Sequence, residues 1–173
     1  MRTSARLFIV LITAGWLLTA SGADIERLEL HQKADVAQHH LRFVGNLRAQ
    51  AKREGVIVST PQLYVYHADH SAAWHLQGFR RGFERELALI HSRNRRERSM
   101  VRIDRLLERT QTPDGQAFAE SDLPSADLYL LLYRSADCEQ CAQVETTLDD
   151  WLQTQPELDA VWFDVWLDGQ DDS

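Results

Sequence analysis

The chain's two cysteines are separated by two residues, in the order Cys138-Glu139-Gln140-Cys141. Side chains three positions apart on a helix share a face, so this spacing brings the two sulfurs within bridging distance. A thiol at the start of a helix lies beside unpaired backbone N–H groups and the positive end of the helix dipole, which favours the thiolate. Cys138 is therefore the candidate nucleophile of a thiol–disulfide exchange, and Cys141, one turn further on, is the candidate resolving cysteine.

Two other interpretations of the cysteine pair remain open, a static disulfide and half of a metal site. A disulfide at this spacing closes too small a loop to restrict the unfolded chain much, which favours a redox role over a purely structural one. A structural zinc site needs four ligands, and the sequence has no second CxxC motif. We therefore expect neither a metal nor a cofactor.

Negative charge surrounds the first cysteine, because Asp137 precedes it and Glu139 follows it. Carboxylates disfavour a neighbouring thiolate and oppose the helix dipole. Strong disulfide oxidants owe their strength to a stabilised reduced thiolate. The flanking residues therefore predict a comparatively reducing couple.

The elements around the cysteines follow from hydrophobic patterning. Residues 128–133, Leu-Tyr-Leu-Leu-Leu-Tyr, are typical of a buried strand, and residues 134–137 predict a turn. The helix that opens at Cys138 has apolar residues at three- and four-residue steps to about Gln155. Residues 161–166 then alternate in the pattern of a second strand.

Upstream of this unit the pattern predicts further helices and strands. A long amphipathic helix is expected from Ile25 to about Glu54, a short strand over Leu63–Tyr66, and a helix from residue 72 to about Ile90. A shorter helix should end near Thr110, and residues 112–115, Thr-Pro-Asp-Gly, predict a turn. Strands that alternate with helices favour parallel pairing, so the sequence predicts an α/β fold.

The N-terminus has the composition of a secretory signal peptide. Two arginines within the first six residues precede a mostly apolar stretch from Leu7 to Leu18, and small residues then place a cleavage position after Ala23. The apolar stretch is shorter than the ~20 residues that a membrane-spanning helix needs. We expect export to the periplasm and no stable membrane insertion after cleavage.

Charge is distributed unevenly along the chain. Residues 80–109 contain ten arginines and five acids, whereas residues 114–173 contain fifteen acids and one arginine. Acids interrupt the arginine-rich stretch and no aromatic residues are interspersed after Arg85, so a solvated helix face is expected rather than a nucleic-acid site. Three histidines, His67, His70 and His75, are expected to make turn and loop contacts rather than to bind a metal.

The tryptophans near the end of the chain allow two interpretations. Trp162 and Trp166 are four residues apart and share a face if residues 161–166 form a strand. We expect them to be core residues. A docking surface is the alternative if that face is exposed.

The strand, the CxxC helix and the following strand resemble the thioredoxin fold over little more than half of the mature chain. In this resemblance Leu63–Tyr66, Leu128–Tyr133 and Ala160–Leu167 correspond to the first three strands. The resemblance implies that Cys138 attacks a partner's disulfide and that Cys141 resolves the mixed disulfide.

The resemblance is incomplete at its end. A thioredoxin domain continues into a helix, a loop with a cis-proline that faces the cysteines, and two antiparallel strands, and none of these fits after Leu167. No proline is expected at the cis-proline position; the four candidates are Pro61, Pro113, Pro124 and Pro156. The expected fold is therefore a truncated thioredoxin-like parallel sheet with an N-terminal helical extension.

Short stretches also resemble exported, CxxC-bearing accessory proteins of integrating conjugative elements, which belong to mobile type IV secretion systems. The similar parts are the signal peptide, Phe83–Ala88, Tyr133–Cys141, and the strand-like Val161–Asp168 with its Asp-Gly ending. This resemblance implies a periplasmic role in conjugative transfer.

The sequence thus predicts a signal peptide over residues 1–23, an N-terminal helix over residues 24–60 and a thioredoxin-like domain over residues 61–173. The expected function is periplasmic thiol–disulfide exchange by Cys138 and Cys141 in conjugative transfer or envelope assembly. The expected partners are proteins with disulfides or components of a secretion apparatus. The alternative is a non-catalytic structural or adaptor component of such an apparatus, with a static disulfide.

Overall fold

The computed structural model describes residues 25–33, 55, 57, 59–98 and 101–167, and these contain one mixed six-stranded β-sheet. The order of the strands across the sheet is β3-β2-β5-β6-β1-β4. Their bounds are β1 (Ile25–Gln32), β2 (Gln62–His67), β3 (Ala72–Gln77), β4 (Thr110–Gln111), β5 (Leu128–Arg134) and β6 (Ala160–Trp166).

Three α-helices lie within the described residues, α1 (Glu84–Arg93), α2 (Ile103–Leu107) and α3 (Glu139–Gln153). A short 3-10 helix, Glu120–Asp122, precedes β5. The helix α1 ends where Asn94 adopts a left-handed conformation, a common way to terminate a helix. The buried residues of α3 recur every three to four positions, so one face of this helix packs against the sheet.

The centre of the sheet is parallel and its two edges are antiparallel. β1 and β5 both pair in parallel with β6, and α3 is the crossover helix between β5 and β6. β2 is antiparallel to β5, β3 to β2, and β4 to β1. In this register Gln62 at the start of β2 lies opposite Tyr133 near the end of β5. The amino end of β2 therefore lies at the same edge of the sheet as the cysteines.

Each face of the sheet has its own hydrophobic cluster. Leu130 and Leu132 of β5 belong to the cluster that α1 and α3 cover, whereas Leu131 and Tyr133 belong to the cluster on the α2 side. Successive residues of a strand point to opposite faces, so burial on both faces accounts for the uninterrupted hydrophobic sequence of β5.

Several predictions from the sequence are confirmed. The α/β class, the strand before the cysteines, the helix that follows them and the strand after that helix are all present. α2 is the short helix expected before residue 110. The turn at residues 112–115 is closed by the Gly115 N–H, which donates to the Thr112 carbonyl oxygen at 2.9 Å.

Other predictions are wrong. Residues 25–32 form β1 instead of the start of a helix, because they pair with β6; the rest of that expected helix lies outside the described residues. Residues 72–77 form β3 instead of a helix, and α1 begins only after Gly78 and Gly82, whose φ angles are 71° and 81°. β1 also belongs to the same sheet as the later strands. The expected signal peptide and the polar residues after 167 lie outside the described residues.

The expected parallel pairing is confirmed for β5 and β6 but is wrong for β2. A tight turn reverses the chain after β2, where the Ser71 carbonyl oxygen accepts a hydrogen bond from the His67 N–H at 3.0 Å. β2 and β3 therefore form an antiparallel hairpin beside β5. An antiparallel pair of strands is thus present upstream of the cysteines. The sheet is consistent with a thioredoxin-like α/β fold in which this pair precedes the CxxC unit in the chain.

Two buried tyrosines on the α2 side differ in their hydrogen bonding. The Tyr66 hydroxyl donates to the Val101 carbonyl oxygen at 2.6 Å. The Tyr133 hydroxyl has no hydrogen-bond partner within the described part of the chain. Burial raises the pKa of both phenols well above its ordinary value.

This difference predicts opposite effects of removing the two hydroxyls. Tyr133→Phe should raise the free energy of unfolding by about 1 kcal/mol, because a buried unpaired hydroxyl is destabilising. Tyr66→Phe should lower it by about 1 kcal/mol, because a hydrogen bond is lost. Urea unfolding of the two variants measures both values, and similar destabilisation by both would contradict the assignment of the unpaired hydroxyl.

Candidate functional site

The cysteines lie at the carboxyl edge of the parallel strands, where β5 leads into α3. β5 ends at Arg134, residues 135–137 form a turn, and Cys138 is the N-cap residue of α3. The Cys138 N–H donates to the Ser135 carbonyl oxygen at 3.2 Å, which closes the turn. The Cys141 N–H donates to the Cys138 carbonyl oxygen at 3.1 Å, so the helix begins directly at the motif.

Cys138 and Cys141 form a disulfide, with their Cα atoms 5.4 Å apart. The two ends of the bond differ in accessibility, because Cys138 is partly exposed whereas Cys141 is only 1% exposed. Cys138 is therefore the more accessible end of the bond and Cys141 the protected end. This arrangement can support nucleophilic exchange at one cysteine and resolution by the other.

Opposing electrostatic effects act on Cys138. The Cys138 side chain makes no capping hydrogen bond at the amino end of α3, and the positive end of the helix dipole there would favour a thiolate. Asp137 and Glu139 are both exposed and place carboxylates on either side. The Ser135 hydroxyl donates to Asp137 Oδ1 at 2.8 Å and so holds one of these carboxylates in the turn. Solvent screens both carboxylates and so weakens their effect on the thiolate.

A second loop lies against this turn. The Thr60–Pro61 peptide bond is cis, and Pro61 is buried directly before β2. The hydroxyl oxygens of Thr60 and Ser135 are 2.9 Å apart and share a hydrogen bond. The prediction that no proline occupies a cis position beside the cysteines is wrong. It assumed the chain order of thioredoxin, whereas here the proline arrives on a strand that precedes the cysteines.

A third segment completes the edge of the site, and we call residues 78–82 the rim loop. The Gly78 N–H donates to the Pro61 carbonyl oxygen at 2.9 Å. The Phe79 N–H donates to Oε1 of Gln140, a residue between the two cysteines, at 3.1 Å. Phe79 also packs edge-on against Phe83, with ring centroids 6.3 Å apart. The rim loop is thus held directly against the CxxC motif.

Four charged side chains form an ion cluster on the α3 side of the sheet: Arg27 of β1, Arg134 of β5, Glu145 of α3 and Asp164 of β6. Asp164 accepts hydrogen bonds from Arg27 Nε at 2.6 Å and from Arg134 Nη1 at 3.0 Å. Glu145 pairs with Arg27 and, at 3.2 Å, with Arg134. Because Glu145 is four residues after Cys141, the cluster lies one helical turn beyond the disulfide.

Two tryptophans stack against the arginines of the ion cluster. The guanidinium carbon of Arg27 lies 4.3 Å from the ring centroid of Trp162, and that of Arg134 lies 4.6 Å from the ring centroid of Trp166. Such contacts add a cation–π attraction. Trp162 is fully buried, which confirms its assignment to the core, and Trp166 is partly buried. The face that the two rings share is occupied by the ion cluster.

The ion cluster predicts a specific pH dependence of stability. Burial raises the pKa of Glu145, but the hydrogen bonds and charges of Arg27 and Arg134 outweigh burial and lower it below the ordinary value of 4.5. The Glu145 carboxylate therefore stabilises the fold above pH 4.5, and this contribution is lost as the pH falls through the lowered pKa. Glu145→Gln should flatten the decline of Tm between about pH 5 and pH 3.

Thermal unfolding followed by circular dichroism measures this slope. The exposed Glu157 provides the control, since Glu157→Gln should keep the pH dependence of the original chain. An unchanged slope in Glu145→Gln would contradict the ionic assignment.

His67 and His70 make the turn contacts that the sequence predicts, whereas His75 does not. The His70 N–H donates to the His67 carbonyl oxygen at 2.8 Å within the hairpin turn. His75 lies in β3 rather than on a helix, and its ring stacks on Tyr64 with centroids 4.3 Å apart. Within the described residues, no three His, Cys, Asp or Glu side chains are grouped so that they could hold a metal ion.

Neither the lengths of the helices nor comparisons with known proteins assign the chain to a class beyond its fold. None of the helices in the described ranges is long and apolar enough to cross a membrane. Comparison with protein-family models, curated proteins and solved structures gives no match to this chain. The structure itself establishes a mixed α/β protein with a CxxC disulfide at the start of a helix.

The cysteines are evident from the sequence, whereas the ion cluster and both loops at the edge of the site are not. Arg27 and Asp164 are 137 positions apart, so no local spacing connects them. One signal was available, because Asp164 is an acid between Trp162 and Trp166 on the same face of a strand. A charged residue at such a position requires an oppositely charged partner if that face is buried.

Proposed function

We propose that this protein is an exported thiol–disulfide exchange protein that acts through Cys138 and Cys141. The observation that carries the proposal is the unequal accessibility of the disulfide, since Cys138 is partly exposed and Cys141 is buried. A disulfide that only stabilised the fold would gain nothing from an accessible end, and it closes a very short loop. An exchange couple needs one reachable sulfur and one protected sulfur.

The exchange proceeds in two balanced steps. The Cys138 thiolate attacks one sulfur of a client disulfide, so that a mixed disulfide forms and the other client sulfur leaves as a thiolate. Cys141 then loses its proton to solvent and attacks the Cys138 sulfur, which releases the second client sulfur. The client gains two electrons, and the Cys138–Cys141 pair loses two. The reverse sequence oxidises a client dithiol.

Both edge loops support binding of an extended client segment beside Cys138. The loop before β2 and the rim loop are hydrogen-bonded to each other through Pro61 and Gly78. Thr60 contacts the turn before Cys138, and the rim loop contacts Gln140 between the two cysteines. The exposed carboxylates of Asp137 and Glu139 destabilise a thiolate at Cys138. The reduced form of the pair is then less stable relative to the disulfide, which makes the couple comparatively reducing.

The wider role rests on the resemblances in the sequence. The N-terminal sequence supports export to the periplasm. The stretches similar to accessory proteins of integrating conjugative elements support clients within a conjugation or envelope apparatus. A static-disulfide adaptor in the same apparatus is the competing function, and the test below separates the two.

The test is stoichiometric reduction of a synthetic peptide that contains one disulfide. The reduced protein should open about one peptide disulfide per molecule. Cys138→Ser should be inactive, whereas Cys141→Ser should stop at a covalent adduct that dithiothreitol releases. Mass spectrometry of the intact protein distinguishes these products. No adduct with Cys141→Ser, together with no reduction by the unchanged protein, would assign the disulfide a static role.

A further inference from the structure

The rim loop presents two arginines next to the cysteine pair. Arg80 and Arg81 are both exposed, and no ion pair within the described residues engages either guanidinium. Arg80 directly follows Phe79, whose backbone N–H is bonded to the CxxC residue Gln140. Consecutive Cα atoms are about 3.8 Å apart, so the backbone of Arg80 lies one residue from the contact with Gln140.

The position of the rim loop is fixed by three contacts described above and by its ends. Gly78 and Gly82 bracket it with positive φ angles of 71° and 81°. A β-carbon at Gly78 would lie 3.6 Å from Gln140 Oε1, which shows how closely the backbone approaches α3. A loop held in this way keeps its two arginines at the rim of the site in the free protein.

Exposed residues of both signs belong to the segments at the motif. Asp137 and Glu139 flank Cys138 in the chain, and Arg80 and Arg81 belong to the rim loop, which is hydrogen-bonded to Gln140. In the first turn of α1, beside the loop, Glu86 is already paired with Arg95, which leaves Glu84 as the nearby acid. The rim loop therefore carries positive charge, whereas the two residues that flank Cys138 carry negative charge.

We propose that the rim loop is a client-recognition element that selects disulfides with acidic residues on one side of the reacting cysteine. The inference rests on the proposed exchange function and adds the class of substrate. Acidic residues that face Arg80 and Arg81 gain a complementary field, whereas acidic residues on the opposite side face Asp137 and Glu139. Complementary charge raises association rates, and salt weakens the effect.

The test uses the full chain with Cys141→Ser, reduced, and three synthetic peptides. Each peptide contains one cysteine in a disulfide with thionitrobenzoate; one peptide is neutral, one has two acids before the cysteine, and one has two acids after it. Attack by Cys138 forms a peptide–protein disulfide and releases coloured thionitrobenzoate, so absorbance gives the second-order rate constant. One acidic peptide should react about tenfold faster than the other at low salt, and the difference should shrink at 1 M salt.

Charge reversal supplies matched variants. Arg80→Glu with Arg81→Glu should abolish or invert the preference between the two acidic peptides. The control is Arg93→Glu with Arg98→Glu, which makes the same change in net charge at two exposed positions. Arg93 is the last residue of α1 and Arg98 follows the helix, so this variant should preserve the preference. Circular dichroism of both double variants establishes that they are folded.

The outcomes separate the two proposals. Equal rates for the three peptides, or equal effects of the two double variants, would overturn recognition by the rim loop while leaving exchange intact. No reaction of folded Cys141→Ser with any peptide would overturn the exchange function and the inference with it.

Discussion

Iodoacetamide is expected to alkylate Cys138 at least about tenfold faster than Cys141 in the reduced, folded protein. Cys138 is partly exposed at the start of α3, whereas Cys141 is 1% exposed and packed against the sheet. Helix-terminal N–H groups favour the Cys138 thiolate, and burial in apolar surroundings disfavours the Cys141 thiolate. Peptide mapping by mass spectrometry gives the two rates separately.

Unfolding provides the control for this comparison. In concentrated guanidinium chloride the two cysteines should react at nearly the same rate, because the difference comes from the fold. Equal rates in the folded protein, or faster labelling of Cys141, would reverse the assignment of nucleophile and resolving cysteine.

Asp164→Ala should lower the free energy of unfolding by about 3 kcal/mol. Asp164 is 7% exposed and accepts hydrogen bonds from both arginines of the ion cluster, at 2.6 Å and 3.0 Å. Its removal leaves Arg27 and Arg134 with Glu145 as their shared carboxylate partner. The two guanidinium groups stay partly withdrawn from water but lose one of their two carboxylate partners. The desolvation of these charges is then only partly offset, so the loss of stability is larger than for an ordinary exposed ion pair.

Urea unfolding at neutral pH measures this loss. Glu157→Ala removes an exposed carboxylate and should change stability by no more than about 0.5 kcal/mol. A loss below about 1 kcal/mol in Asp164→Ala would mean that the cluster behaves as a solvated surface network.

The segment from β5 to β6 could be predicted from the sequence because its signals are local. Residues 128–133 are hydrophobic at every position, as a strand buried on both faces requires. Within α3, Cys141, Val144 and Leu148 recur at helical spacing. The same signals placed the two cysteines at a strand-to-helix junction, so the central part of the candidate site could also be predicted from the sequence.

β3 could not be separated from a helix by spacing alone. Leu76, Phe83 and Leu87 fall on one helical stripe, although Leu76 belongs to a strand and the other two belong to the start of α1. Gly78 and Gly82 were the contrary signals, because glycine is unfavourable inside a helix. Both residues mark the rim loop, which the apolar stripe wrongly assigns to a helix.

Long-range pairing accounts for the remaining errors. β1 has few buried residues and becomes a strand through its parallel pairing with β6, which begins 135 positions after Ile25 at Ala160. The ion cluster depends on the same pairing, because it brings Arg27 beside the strand that carries Asp164. Cis-Pro61 reaches the site through the antiparallel pairing of β2 with β5. No local pattern encodes these contacts.

The most direct test of the central claim is the redox equilibrium of Cys138 and Cys141 in graded dithiothreitol or glutathione mixtures, with thiols counted by alkylation and folding followed by circular dichroism. The account predicts a reversible two-electron transition in the folded protein, with a midpoint nearer about −270 mV than about −120 mV. A disulfide that opens only when the protein unfolds would contradict the account and make Cys138 and Cys141 structural residues.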